Sequence, residues 1–224
     1  MQHGRSFEID QRIWTALENI VNSYDKVTHS ITLCLDDILR EEAVKDIKKS
    51  RVLDVGAGTG ALSNKLREKD KSCYIVMLDP IKNFNLYLKK NKENDVVQGV
   101  AEYLPFKFKA FDFAISAFML RDAMDLDKAL QNFKRVALKN VILDFWKPDN
   151  IIILFFELLY MFSLMPLLAM ARDPWNVRHY LAIPYTVMKV PKLKTLVKRL
   201  KKNGELKFRK FFKGIFFIAT IENY

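Results

Sequence analysis

The chain has 224 residues, 50% of them hydrophobic and 28% charged, which suits one well-packed domain and excludes a disordered or disulfide-scaffolded chain. Its two cysteines, Cys34 and Cys73, form neither a disulfide framework nor a metal-ligand spacing, so both are expected as reduced, small apolar side chains and no metal is expected. The opening residues MQHGRSFEID contain no apolar stretch, which predicts a cytoplasmic protein without a cleaved signal, while a net charge of +11 favours acidic partners without choosing between nucleic acid and anionic lipid.

Residues 1–47 are helical in pattern and are expected to cover the domain that follows; His3 within them is expected to be terminal and without a role. From 51 to 147 short apolar runs alternate with helical patterns, the mark of βαβ units feeding a parallel sheet. RVLDV (51–55), YIVML (74–78), VVQ (96–98), FDFAIS (111–116) and VILDFW (141–146) are the five predicted strands. ALSNKLREK, IKNFNLYLKK and DLDKALQNFKRVAL between them carry apolar residues at helical spacing. At the end, ELKFRKFF and GIFFIATIE predict an antiparallel hairpin turning around Lys213 and Gly214. The expected fold is therefore α/β, a Rossmann-like doubly wound seven-stranded sheet in a single domain over residues 1–224. Five parallel strands and a terminal β-hairpin build that sheet, with N-terminal helices before it. Residues 148–191, which hold five of the seven prolines, are expected to form a lid insertion over the strand ends.

Three of the seven glycines fall in DVGAGTG, at Gly56, Gly58 and Gly60. Placed after a strand, they permit a tight turn and close backbone approach to a ligand, while the following helix offers free N–H groups. The loop alone fits NAD, FAD or S-adenosylmethionine. Its spacing lacks the GxGxxG of dinucleotide oxidoreductases, and an acid, Asp79 in MLDP, ends the second strand, where its carboxylate can accept hydrogen bonds from both hydroxyls of a ribose. Loop and acid together point to S-adenosylmethionine and to methyl transfer.

These residues resemble the UbiE family of C-methyltransferases, which methylate the ring of ubiquinone and menaquinone precursors. Residues 24–44, YDKVTHSITLCLDDILREEAV, are similar without gaps to the family's YDxMNDxxSxGxHRxWRRxAV. GVAEYLPF (99–106) resembles GDAExLPF, AFMLRD (117–122) resembles SFGLRN, and LDFWKP (143–148) resembles LEFSKP. MPLLAMARDPWNVRHYLA resembles a proline-containing lid, with Thr186, Val187 and Pro191 matching its end. The resemblance implies that Tyr24, Asp54, Gly56, Ala57, Gly58 and Thr59 contact the cofactor on one side. It implies the same of Asp79, Pro80, Val100, Ala101, Glu102, Ala117 and Phe118 on the other.

The chain also departs from the pattern. Thr28 stands for the family asparagine, Cys34 for a glycine and Leu39 for a tryptophan. Val100 replaces the Asp or Asn that contacts the adenine amino group, so the backbone around Ala101 is expected to supply that recognition. Ala117 replaces a serine, Met119 a glycine, Asp122 an asparagine and Arg178 the first lid tyrosine, and Trp146 also alters an expected pocket position.

Methylation of a ring carbon requires in-line attack on a sulfonium methyl by a ring activated by its own hydroxyl. Ionising a phenol of pKa about 10 at pH 7 costs roughly 4 kcal/mol, so a base or nearby cation is expected. Arg121, just past the fourth strand, is the expected phenolate stabiliser, with Asp122 and His29 as the expected bases. The competing expectations are an Arg121–Asp122 ion pair anchoring the loop, and surface or lid contacts for His29 and His179. Tyr24 and Tyr180 are expected to pack on cofactor or substrate.

Ile151 to Ala171 is apolar except for Glu157, long enough to cross a bilayer, yet a crossing there would separate the terminal hairpin from its sheet. A lid over an apolar substrate, or plain core, is expected instead. Residues 192–213 carry ten Lys or Arg against Glu205, and Leu193, Leu196, Val197 and Leu200 form the stripe of an amphipathic helix. Its basic face is either solvated or drawn to anionic lipid, giving a peripheral membrane contact. The expected acceptor is an apolar quinol. Another apolar small molecule or lipid, non-catalytic cofactor binding, and RNA methylation are the alternatives, the last without any interleaved stacking platform, so no nucleic-acid partner is expected.

Overall fold

The computed structural model describes residues 15–90 and 95–223. His3 and the helical pattern expected before residue 15 lie outside the described residues. Helices α1 (Tyr24–Ile31) and α2 (Leu35–Val44) precede β1 (Arg51–Val55), α3 (Ala61–Lys69), β2 (Tyr74–Asp79), α4 (Lys82–Lys90), β3 (Asp95–Gln98) and β4 (Phe111–Ala117). Then come α5 (Leu126–Val136), β5 (Ala137–Phe145), α6 (Ile151–Phe162), α7 (Leu164–Arg172), α8 (Val177–Tyr180), α9 (Ile183–Lys189), α10 (Leu193–Lys201) and the hairpin β6 (Glu205–Phe211) and β7 (Phe216–Glu222).

The seven strands form one sheet in the order β3-β2-β1-β4-β5-β7-β6, as the doubly wound expectation requires. β1 lies parallel between β2 and β4, β5 follows parallel to β4, and β7 runs antiparallel to β5 and β6. The order reverses between β1 and β4, so the crevice beyond Val55 and Ala117 is where such a sheet takes its ligand. Strand residues alternate between two apolar layers. Leu53, Val55, Val76 and Leu78 face Leu130, Phe133, Leu196 and Leu200, whereas Val52, Ile75 and Met77 face Leu39, Leu62, Leu66 and Leu88.

Two boundaries and one side-chain placement differ most from the sequence expectation. β5 begins at Ala137, because α5 ends at Val136 and Ala137 and Lys139 already pair with Phe111 and Phe113 of β4. The hairpin turns through Phe212–Gly214, with Phe212 at φ 49, Lys213 at φ 57 and Gly214 at φ 97. Trp146 is not a pocket residue: it is fully buried against Phe217, and its indole N–H donates to the Pro191 carbonyl at 2.7 Å.

The apolar run is neither plain core nor one straight span. Pro166 crowds the carbonyl of Phe162 four residues earlier and lacks its own N–H, so α6 stops and α7 starts anew across Ser163. At 1.5 Å per residue the 12 and 9 residues of these helices make rods of about 18 and about 14 Å, while the 22 residues Ile151–Arg172 taken together are long and apolar enough, by length and composition alone, to cross a membrane. Only 22% of the run's most apolar stretch is buried. Inward, Leu154, Glu157, Met161, Met165 and Ala169 close over the strand ends; outward, Ile151, Phe155, Phe156, Leu159 and Leu167 face solvent.

Candidate active site

The glycine loop folds back on β2: the N–H groups of Gly56 and Ala57 both donate to the Leu78 carbonyl, at 2.7 and 3.0 Å. Gly56 sits at φ 70, and a Cβ there would lie 2.3 Å from Met119 Cγ, so this glycine is required by packing as well as conformation. Gly58, at φ 56, is different, because a Cβ would meet nothing within 4 Å. Its bare backbone faces open space, which is the cradle a ligand needs.

Asp79 ends β2 at this loop. Its Oδ2 accepts the Gly58 N–H at 2.9 Å and its Oδ1 the Ile81 N–H at 2.8 Å, leaving further lone pairs on both oxygens. Burial pushes its carboxyl up to about 6, against the pull of those two N–H groups. Asp54 is fully buried; Ser63 donates to its Oδ2 at 2.6 Å, while Oδ1 has no partner among the described residues. Burial raises this group to about 6 as well. A buried carboxylate oxygen left without a donor, beside a bare glycine backbone, fits the ammonium and ribose hydroxyls of S-adenosylmethionine.

A cavity of about 610 Å³ opens from this loop, and Tyr24, Gly56, Gly58, Asp79, Pro80, Val100, Ala101, Glu102, Ala117 and Phe118 all line it. Asp54, Ala57 and Thr59 line a small adjoining recess with Tyr24, Gly56, Gly58 and Ala117. The structure thus brings every cofactor candidate to one place. Tyr24 packs edge-on against Phe84, its neighbour Asp25 accepts the Thr59 hydroxyl at 2.6 Å, and α1 is thereby fastened to the loop. Glu102 also ties down the segment before α5, since its Oε1 accepts the N–H groups of Met124 and Asp125, at 2.8 and 3.2 Å. Cys34, where the family pattern has glycine, takes the left-handed conformation at φ 66 that a glycine adopts freely. Phe118 at φ 61 holds a similar strained conformation where β4 reaches the cavity.

Of the three catalytic candidates, Arg121 and Asp122 line the cavity and His29 does not. The His29 ring is 45% exposed and its Nδ1 lies 3.1 Å from Asp36 and 3.9 Å from Asp37, so the surface contact replaces the expected base. Arg178 is likewise exposed and outside the lining, whereas His179 and Tyr180 are within it. The Arg121 side chain is 7% exposed and its main partner is not Asp122 but Asp144. Nη1 donates to Asp144 Oδ1 at 2.6 Å and to the Phe118 carbonyl at 2.7 Å, and Nε to Thr186 Oγ1 at 3.3 Å. Nη2 is 3.6 Å from Asp122, and the guanidinium lies 3.8 Å above the centre of the Phe145 ring. Burial opposes this cation, but Asp122 and Asp144 outweigh it and hold Arg121 above its ordinary pKa.

Two residues escaped the sequence reading. Asp144 stood in the quoted LDFWKP without a role, and its only signal was an acid inside an apolar strand. Glu157 was visible as the sole charge from Ile151 to Ala171. It is 4% exposed and lines the cavity, neither carboxylate oxygen has a hydrogen-bond partner among the described residues, and burial pushes it up to about 8.

Comparison with known proteins agrees with this geometry. Residues 53–143 match the family model described as a methyltransferase domain. The chain is 27% identical over 168 residues, 68% of each chain, to the ubiquinone/menaquinone biosynthesis C-methyltransferase UbiE of Rickettsia bellii. It is 33% identical over 141 residues, 57% of each chain, to the UbiE of Hahella chejuensis. Among solved structures, a SAM-dependent methyltransferase of Thermotoga maritima, described as a possible histamine N-methyltransferase, superposes with a TM-score of 0.65 at 17% identity over 95% of this chain and 100% of that one. A SAM-dependent methyltransferase of Aquifex aeolicus gives 0.54 at 18% identity over 82% and 89%. With the methyltransferase-domain match over residues 53–143 of this seven-stranded sheet, the chain is an S-adenosylmethionine-dependent methyltransferase with a Rossmann-like fold.

Proposed function

We propose that this methyltransferase acts on a ring carbon of an apolar quinol precursor such as a demethylmenaquinol, reached from the surface of an anionic membrane. The observation that carries this reading is the cavity itself. From the glycine loop it continues under α6, α7 and α9 into walls made of Phe145, Ile153, Met161, Met165 and Ile183, which offer an aromatic acceptor dispersion contacts and few hydrogen bonds. S-adenosylmethionine, when bound, supplies an electrophilic methyl group on sulfur. Asp79 would hold the ribose, Asp54 the amino-acid end, and the backbone at Val100 and Ala101 the adenine. On the acceptor side Arg121 and Asp122 lie together in the wall, with Glu157 and Lys213 also among its ionisable groups. Because Arg121 is already paired with Asp144, it gives a developing phenolate a polarised, only partly available cation, and Asp122 is the carboxylate placed to take a proton directly or through water.

The similarity to the two UbiE proteins supports the same acceptor class. The outward side chains of α6 and α7, together with the exposed Trp175, support delivery from a lipid phase, since a continuous apolar face of this kind suits a membrane interface. The test is mass spectrometry of the quinone pool in cells lacking this chain. Accumulation of a quinone one methylene lighter, restored by the wild-type chain and not by Asp79→Ala, supports the reading; an unchanged quinone pool sinks it.

A further inference from the structure

Glu157 is the strangest residue in the cavity. α6 presents it on the same face as Leu154 and Met161, where an apolar side chain would complete the wall. Leaving a buried carboxyl without a partner is destabilising, a cost that a leucine at this position would spare. Among the described residues no ion pair or hydrogen bond offsets that cost: Tyr160 on the same helix donates to the Ile31 carbonyl at 2.6 Å, and the nearest elements, α7 and α9, face α6 with Met165, Ile183 and Val187. Arg121, the buried cation of the cavity, is committed to Asp144, Phe118 and Thr186. Both Glu157 oxygens are therefore free to meet whatever enters the space below α6.

We propose that Glu157 is the specificity-determining contact for the methyl acceptor, hydrogen-bonding a hydroxyl on an otherwise apolar ring. This rests on the reading that the cavity takes an apolar ring. One polar group on an apolar wall fixes orientation: the ring is free to slide and turn against Met161, Met165 and Phe145, but only poses that bring a hydroxyl to Glu157 satisfy the carboxyl. Discrimination follows from the same asymmetry, because an acceptor lacking the hydroxyl covers the carboxyl without giving it a partner.

The test measures binding of 1-naphthol and of naphthalene to the full chain loaded with S-adenosylhomocysteine, by calorimetry, so that methyl transfer is not needed. The wild type is expected to prefer 1-naphthol by about ten-fold or more. Glu157→Leu is expected to bind both equally, with unchanged S-adenosylhomocysteine affinity and a melting temperature no lower than wild type. Glu157→Gln keeps a hydrogen-bonding group and should keep most of the preference. A wild type without preference, or a Glu157→Leu variant that retains it, overturns the proposal. Failure of the quinol reading is separate: it shows as absence of methylation of 2-prenyl-1,4-naphthalenediol while the naphthol preference persists.

Discussion

Asp79 combines two N–H hydrogen bonds with a carboxyl raised to about 6 by burial, and that combination predicts how cofactor affinity depends on pH. Ribose hydroxyls donate best to the ionised carboxylate, so S-adenosylhomocysteine should bind more weakly as pH falls below 6, and Asp79→Ala should lose about 1.5–3 kcal/mol of affinity at pH 7.5. Unchanged calorimetric affinity in that variant would remove Asp79 from the ribose site. For the ligand-free protein the sign is opposite. An acid raised on folding favours the fold below its unfolded pKa, and that contribution is lost as pH rises through about 6, so the melting temperature should drop between pH 4 and pH 7 and S-adenosylhomocysteine should restore more of it at the higher pH. Arg121 gives a second residue-level prediction. Removing it strands Asp144, which is fully buried, so Arg121→Ala should cost about 3–5 kcal/mol of stability in chemical denaturation. Lost turnover with intact stability would instead make Arg121 an acceptor contact whose pairing with Asp144 is incidental.

The elements that roof the cavity depend on their ends. Asn150 caps α6 by accepting the N–H groups of Ile152 and Ile153 at 2.8 and 3.3 Å, so Asn150→Ala should weaken that helix by about 1 kcal/mol. Hydrogen exchange should then quicken in Ile151–Phe162 and leave β1 and β4 unchanged; equal quickening of the sheet would mean that the roof and sheet open together. The sheet was legible because strands buried on both faces read as runs of Val, Ile, Leu and Phe, and because DVGAGTG permits few other conformations. The glycine loop and Asp79 were legible for the same reason, since the turn after β1 and the end of β2 are adjacent in any such sheet. The roof was not. Ile151–Ala171 has one composition throughout, and only Pro166 marked where it divides, while which of its faces points inward depends on α1, through Tyr160 to Ile31 and Arg172 to Ser30. His29 lies away from the cavity for a related reason. Its helix was correctly placed, but the side of the helix that meets the cavity is set by Tyr24, Thr28 and Ile31, and His29 is drawn to Asp36 instead.

At the scale of the whole molecule, the basic tract and the apolar run belong to different parts of the surface. Leu193, Leu196 and Leu200 bury α10 against the sheet beside Val136 and Trp146, and Arg199 reaches Asp127 at 3.2 Å, so the basic face of α10 flanks α5. The apolar faces of α6 and α7 instead lie over the strand ends, with Ile151 70% exposed, Phe155 and Phe156 each 61% and Trp175 89%. Buried apolar area contributes about 25 cal/mol per Å² and does not weaken with salt, whereas attraction between basic residues and anionic lipid falls away beyond a Debye length of about 10 Å at 0.1 M salt. The two surfaces therefore predict different salt behaviour. Sedimentation with anionic liposomes should fall on adding salt without vanishing, and neutral liposomes should keep only the salt-resistant part. Phe155→Ser with Leu159→Ser should remove the salt-resistant part, since it deletes outward apolar side chains that do not line the cavity. Charge reversal at Lys198, Arg199, Lys201 and Lys202 should remove only the salt-sensitive part and leave methylation of a short-tailed quinol intact, because none of these four lines the cavity. Binding that vanishes completely with salt in the wild type would return the membrane contact to α10 alone and leave the outer faces of α6 and α7 to another partner. A need for detergent to keep the protein dispersed would mean that these helices enter the bilayer more deeply than their outward faces alone require.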